Sequence, residues 1–301
     1  MKVSVLGASG LIGSALIKLL HESGYEPCII TRTAANVPKW QRDFPIREWN
    51  PGEGEIDPEL FTGADVVVNL SGANISQGRW TKGRKQLIRD SRVNTNHMLI
   101  EALSCMTQKP QVFITGSAVG YYGSAGEAVL NEESPAGRDF LASVCAQLEK
   151  EAYRAQASGI RTVALRTGVV LSVAGGALPK MLPAFKLGLG GRIASGKQWF
   201  PWIHEQDMAR LILFIIENKV LHGPINAAAP QTITNEQFTR ILAKALHRPA
   251  FFPVPYIALR MLFGEVATAL VGSQRISVDK ILKAGFEFKF PELDVALNSL
   301  L

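Results

Sequence analysis

The 301-residue chain carries only three cysteines, Cys28, Cys105 and Cys145, far apart and without a C-x-x-C pair. Neither a disulfide framework nor a cysteine zinc site is expected, and buried or idle thiols are the simpler reading. No apolar run approaches the ~20 residues of a membrane span. Met1 to Leu20 opens with a lysine and apolar residues in the manner of a secretory leader, but Gly7, Gly10 and Gly13 interrupt it and no small-residue cleavage site follows. A soluble, cytoplasmic protein without membrane contact is therefore expected. Low-complexity tracts, internal repeats and long linkers are also missing. With 47% hydrophobic and 19% charged residues, the composition argues against disorder and for one sizeable core or two closely packed lobes.

Acidic residues are the scarcer sign, leaving a formal net charge of +6. That balance favours anionic ligands, and a phosphorylated cofactor suffices without nucleic acid. The densest basic stretch, Arg79 to Arg92, reads mainly as a solvated helix face with one or two residues reaching a phosphate.

What is present is α/β patterning. Lys2 to Leu6 reads as a buried strand. Ile12, Ala15, Leu16, Leu19 and Leu20 share one helix face ending at Gly24, and residues 27 to 31 form a second strand. Further strands are expected at Val66 to Asn69, Val112 to Thr115 and Thr162 to Leu165, with helices at about 82 to 104 and 138 to 158. This repetition implies a Rossmann-type, doubly wound parallel sheet. After Gly168, glycines and prolines mark a loop-rich stretch laid over the cofactor cleft. Thr234 and Gln237 form a capping box before another amphipathic helix. Residues 1–170 with about 205–228 are expected to form the dinucleotide domain, and 171–204 with 229–301 a smaller cap lobe.

Gly7-Ala8-Ser9-Gly10-Leu11-Ile12-Gly13 follows a strand and opens a helix. In that context the first glycine permits the tight turn, the second lets backbone approach a pyrophosphate, and the third allows close packing of helix on strand. After the second strand, where a carboxylate would select NAD, the chain has Thr31, Arg32 and Thr33. Arg32 can pair with a 2′-phosphate, so NADP(H) is the expected cofactor. Asn69-Leu70-Ser71-Gly72-Ala73 and Thr115-Gly116-Ser117 place small residues at strand ends, where ligands of open α/β sheets bind.

These residues resemble the extended short-chain dehydrogenase/reductase class, which contains the nucleotide-sugar epimerases. More narrowly, the chain is similar to the atypical epimerase family of predicted nucleoside-diphosphate-sugar epimerases, with that family's C-terminal domain. The likeness runs almost end to end, through GASGLIG (7–13), NLSGANI (69–75), GSAVGYYG (116–123), RTGVVLS (166–172), the long block 181–204 and the tail 272–293. It implies that Gly7, Ser9, Gly10, Leu11, Ile12 and Gly13 hold the pyrophosphate and Thr31 and Arg32 the 2′-phosphate. It further implies that Leu70 and Ser71 line the adenosine side, with Arg92 and Val169 as additional contacts.

The class uses a Y-x-x-x-K pair for proton transfer beside the nicotinamide. Aligned on Glu149, the corresponding residues here are Leu141 and Cys145, which read as helix core. Ser117 matches the serine that orients the substrate oxygen. Tyr121, Tyr122 and His204 are the candidates for the missing proton donor, each with a packing role as its alternative. Trp199, Phe200 and Trp202 either wall a substrate cleft or belong to the core. Two functions stand open. One is an oxidoreductase or epimerase acting on a carbonyl or hydroxyl of a small polar or sugar-like molecule. The other is an NADP(H)-binding regulatory protein without turnover, which the absent Y-x-x-x-K pair supports and which the link of some relatives to cell division keeps open. Wider relatives often pair through helices flanking the sheet, which leaves a homodimer open.

Overall fold

The computed structural model describes residues 1–54 and 56–301. Its strands are β1 (Lys2–Leu6), β2 (Glu26–Thr31), β3 (Ile46–Glu48), β4 (Val66–Asn69), β5 (Val112–Ala118), β6 (Val129–Leu130), β7 (Arg161–Thr167), β8 (Val169–Leu171), β9 (Trp202–His204), β10 (Gly223–Ala227) and β11 (Arg275–Ile276). The helices are α1 (Leu11–Glu22), α2 (Lys82–Cys105), α3 (Phe140–Tyr153), α4 (Leu178–Lys186), α5 (Glu205–Glu217), α6 (Asn235–Ala245), α7 (Tyr256–Phe263), α8 (Val266–Val271), α9 (Asp279–Lys283) and α10 (Leu293–Leu300).

Seven strands form one sheet in the order β10-β7-β5-β4-β1-β2-β3, and every pairing in it is parallel. The sheet is covered on both faces, which is why its strands are almost continuously apolar. Val66 and Val68 of β4 join the core under α1 and α5, with Leu16, Ile17, Leu211 and Ile212. Val67, one residue out of phase, joins Leu99, Leu103 and Ala152 under α2 and α3. A third core, built from Leu182, Phe185, Trp202, Phe238, Phe290 and Leu297, holds the C-terminal elements together.

The winding reverses between β1 and β4. Their register pairs Leu6 with Asn69, which brings the turn after β1 against the turn after β4. That is the switch-point crevice where open α/β sheets bind ligands.

The capping box is formed: the Gln237 amide donates to Thr234 Oγ1 at 3.3 Å, and the Thr234 amide to Gln237 Oε1 at 2.7 Å. The stretch after Gly168 is more ordered than its glycines and prolines suggest. It contains β8 and then α4, which accommodates Pro183 within the helix because Leu178, Leu182 and Phe185 recur on one buried face. Strands β3 and β10, absent from the expected set, close the two edges of the sheet: β3 has three residues, and β10 opens on Gly223-Pro224, which reads locally as a turn.

Candidate functional site

The glycine turn is shaped by contact as much as by conformation. Gly7 has φ +77°, and a Cβ there would meet the Leu70 carbonyl at 2.8 Å. A Cβ on Gly13 would lie 2.3 Å from the Gly7 oxygen, so only glycine lets α1 begin so close to the turn. Gly10 caps α1 with no side-chain hydrogen bond, so the first helix amides keep their donor capacity for an anion. Ser9 and Gly10 are exposed, and Leu11 and Ile12 half-buried, at this end of the crevice. Asn74, Gly175 and Gly176 line the same opening. Leu70 is half-buried behind the turn, while Ser71 donates through both its amide and its hydroxyl to Asn69 Oδ1, at 3.1 and 2.6 Å.

Thr31 and Arg32 stand at the carboxyl end of β2. Arg32 is exposed, with no hydrogen-bond or carboxylate partner among the described residues. Glu48 at the end of β3 accepts the Ala34 amide. A free glycine-lined helix start and an unpartnered guanidinium one strand away are the donor set that a phosphorylated dinucleotide requires, so the residues present fit NADP(H).

Leu141, Cys145 and Glu149 recur every four residues along α3 and meet the end of β5 in turn. Leu141 Cβ lies 3.4 Å from where a Cβ on Gly120 would sit. Cys145 is buried on the face of α3 turned to Ser117, and burial pushes its thiol up to about 11. Ser117 Oγ donates to Glu149 Oε1 at 2.7 Å. Glu149 also accepts from Arg166 Nε at 3.1 Å and Nη2 at 2.9 Å.

Arg166 continues the network. Its Nη1 donates to the Tyr122 hydroxyl at 3.0 Å and to the Glu132 carbonyl at 3.1 Å, and Tyr122 donates onward to Asn226 Oδ1 at 2.7 Å. Burial raises the Tyr122 phenol above its ordinary range, against the opposing pull of Arg166. Tyr122 is thus held as a buried structural link. Tyr121 lays its ring on the guanidinium, 3.4 Å from Arg166 Cζ, and its hydroxyl has no hydrogen-bond partner among the described residues. The tail block supports this loop: Gln274 Nε2 donates to the Gly123 carbonyl at 2.8 Å, and Ser273 Oγ to that of Gly126 at 2.9 Å.

Arg92 reaches the same edge from α2. Its guanidinium lies over Gly72 and donates through Nη1 to the Ile88 carbonyl at 3.1 Å; the residue is half-buried, and desolvation lowers its pKa. Gly116 and Val169 are half-buried, near the end of β5 and at the start of β8.

His204 stands apart from the other candidates. It is buried at the N-cap of α5, where Nδ1 accepts the Gln206 amide at 3.0 Å. Nε2 faces Ser299 Oγ at 3.2 Å, and the ring stacks on Phe290 at 3.9 Å. It touches none of Ser117, Glu149 or Tyr121; its chemistry is that of a cap. Burial lowers its pKa to about 4, so the folded state holds it neutral while the unfolded state protonates near 6.5. Its contribution is full above the unfolded pKa and is lost as pH falls from about 6.5 towards 4. Urea denaturation at pH 7.5 and pH 5 should therefore show roughly 2 kcal/mol less stability at the lower pH. In His204→Asn, which keeps a capping side chain, that difference should shrink.

Trp202 and Phe200 belong to the third core, Phe200 stacking on Phe238 at 4.4 Å. Trp199 is half-exposed, with the Arg275 guanidinium 4.5 Å from its ring and Nε1 donating to Glu127 at 2.9 Å. Arg166, Glu132 and Asn226 do not stand out as site residues in the sequence. The one local signal for this network is the glutamate eight residues after Leu141. Among the described residues no cluster of three or more His, Cys, Asp or Glu is placed to hold a metal.

This geometry coincides with known proteins. Residues 3–228 match the NAD dependent epimerase/dehydratase family, and residues 254–300 match a domain of unknown function, DUF1731. The chain is 40% identical over 298 residues to epimerase family protein Mb2239 of Mycobacterium bovis, covering 98% of this chain and 96% of that one. It superposes with a TM-score of 0.87 on the crystal structure of human epimerase family protein SDR39U1 with NADPH, at 32% identity, over 100% of this chain and 99% of the other. The UDP-glucuronic acid 4-epimerase from Bacillus cereus, in complex with UDP-glucuronic acid and NAD, shares the fold alone, with a TM-score of 0.79 at 18% identity over 100% and 98% of the two chains. The chain therefore belongs to the NAD dependent epimerase/dehydratase family, carrying DUF1731 as its C-terminal part.

Proposed function

We propose that the chain is a cytoplasmic NADP(H)-dependent oxidoreductase or epimerase-like protein, acting on a carbonyl or hydroxyl of a small, sugar-like molecule. The observation that carries the reading is the free, glycine-lined start of α1 beside an unpartnered Arg32. Gly7 to Gly13 would hold the pyrophosphate, and Thr31 and Arg32 the 2′-phosphate. The human SDR39U1 structure with NADPH supports the same choice. NADP(H), when bound, supplies or accepts a hydride.

The chain's own groups define the rest. The Ser117 hydroxyl hydrogen is directed to Glu149, so towards a substrate Ser117 presents an acceptor suited to an alcohol. Tyr121, with its hydroxyl free, is the remaining phenol for proton transfer, since Tyr122 is engaged on both sides. Arg92 brings a cation to the edge where Cys145 replaces the lysine of the wider class.

Arg32→Ala should weaken NADPH binding by roughly 1 to 3 kcal/mol and leave NADH binding unchanged. Cofactor fluorescence titration measures both, and equal NADPH affinity in the variant would remove Arg32 from the site. Turnover is tested by NADPH oxidation across sugars, ketones and quinones, with Ser117→Ala expected to abolish any rate found.

A second reading, an NADP(H)-responsive regulator without turnover, draws on Leu141 and Cys145, which leave no tyrosine–lysine pair at the hydride end. No activity with any compound, together with partner capture that differs between NADP⁺ and NADPH, would select it.

A further inference from the structure

Away from the crevice, two stretches are laced side by side. The Arg248 Nε donates to the Lys186 carbonyl at 3.0 Å, and backbone bonds join Arg192 to Val254 and Val254 to Ala194 at 2.8 and 2.9 Å. Between them they expose large apolar side chains: Phe251 at 82%, Leu187 at 75%, Ile257 at 72% and Met261 at 71%. Phe252 and Leu262 extend the same face. Scattered apolar residues on a surface are ordinary, whereas a cluster of this size marks a contact site.

The charge around the cluster is one-sided. Residues 173–204 and 237–264 contain no Asp or Glu. Arg79, Lys186, Arg248 and Arg260 are exposed and have no carboxylate partner among the described residues. The carboxylates at the margin, Glu236 and Glu265, are already paired with Arg192 and Lys85.

We infer that this face, formed by α7 with the turns at 187–189 and 251–252, rests on an anionic phospholipid surface. Its apolar tips insert to the headgroup boundary and its cations meet the lipid phosphates. A second copy of the chain is a poor occupant, because a two-fold contact sets one cationic rim against another. A helical partner protein needs a groove, whereas these side chains project with most of their surface free. No helix among the described residues is long and apolar enough to cross a membrane. Surface contact needs no such helix, so the inference departs from the expectation of no membrane contact. It is independent of the NADP(H) reading, because none of these residues belongs to the crevice.

The test is co-sedimentation with vesicles of phosphatidylcholine alone and of phosphatidylcholine containing about one-third phosphatidylglycerol. The chain should pellet only with the anionic vesicles and less as salt rises. The double variant F251S/M261S should bind them at least roughly tenfold more weakly, with NADPH affinity and circular dichroism unchanged. Three results would each overturn the inference. The first is no pelleting with anionic vesicles, including the case where polyglutamate retains the chain through Phe251 and Met261, which would point to an acidic protein. The second is pelleting that F251S/M261S leaves intact, which would reduce the effect to net charge. The third is a concentration-dependent dimer in sedimentation velocity that the variant abolishes.

Discussion

Glu149→Leu should lower the unfolding free energy by about 3 to 5 kcal/mol, the cost of stranding a buried cation. Both side chains of the Glu149–Arg166 pair are nearly inaccessible, at 4% and 3%, and Glu149 takes two of the guanidinium's hydrogen bonds. Without it, Arg166 keeps its hydrogen bonds to the Tyr122 hydroxyl and the Glu132 carbonyl and the face of the Tyr121 ring, all of them neutral. Urea denaturation followed by circular dichroism measures the loss. The double variant Glu149→Leu with Arg166→Met should recover most of it, because the desolvation of both charges is removed together. A single variant costing under about 1 kcal/mol would mean that water or another group reaches Arg166 and that the pair is not what holds α3 to β7.

The second large effect concerns the glycine turn. Gly13→Val places a Cβ that would sit 2.3 Å from the Gly7 oxygen and 2.7 Å from Ala8 Cα. Those neighbours are backbone and have no rotamer to yield, so the turn or the start of α1 must shift. The helix amides then no longer point together at the pyrophosphate. Two charge-assisted hydrogen bonds to it should fail at once, and NADPH affinity should fall by roughly 100-fold or more. Gly83→Ala is the control: a Cβ there, exposed near the start of α2, meets nothing within 4 Å. Affinity equal to that of the unaltered chain in a folded Gly13→Val protein would place the cofactor away from this turn.

The legible parts of the molecule are those whose determinants lie within one turn or one helix of each other. The turn at 7–13, Arg32 at the end of its strand, the apolar run Val66 to Val68 and the capping box at 234–237 each depend on neighbours a few residues away. Helix α4 is obscured because its two prolines carry the breaking signal locally, while the buried face that overrides them is supplied by Trp202 and Phe238 from elsewhere.

The two adjacent tyrosines show the limit more sharply. Nothing in Gly120-Tyr121-Tyr122-Gly123 distinguishes their roles. The distinction arises because β7 lies between β5 and β10, which brings Arg166 and Asn226 to Tyr122 and leaves the Tyr121 hydroxyl without a partner among the described residues. His204 likewise reads in the sequence either as a structural hydrogen-bonding residue or as a proton-transfer group, and only the fold shows that α5 begins on it.

By itself the sequence determined five of the seven strands of the sheet, the glycine turn after the first of them and the absence of a carboxylate after the second, and through the family resemblance the absence of the tyrosine–lysine pair. These are statements about residue type and short spacing, which the chain carries wherever it folds. The tertiary structure decided that Glu149, Arg166, Tyr122 and Asn226 form one buried network joined to Ser117, and that Tyr121, unlike Tyr122, has no hydrogen-bond partner among the described residues. It also joined two acid-free stretches by hydrogen bonds and left Leu187, Phe251, Ile257 and Met261 exposed along them. Those outcomes depend on strand order and register, which bring together residues as far apart as 117 and 226, and no local pattern records that meeting.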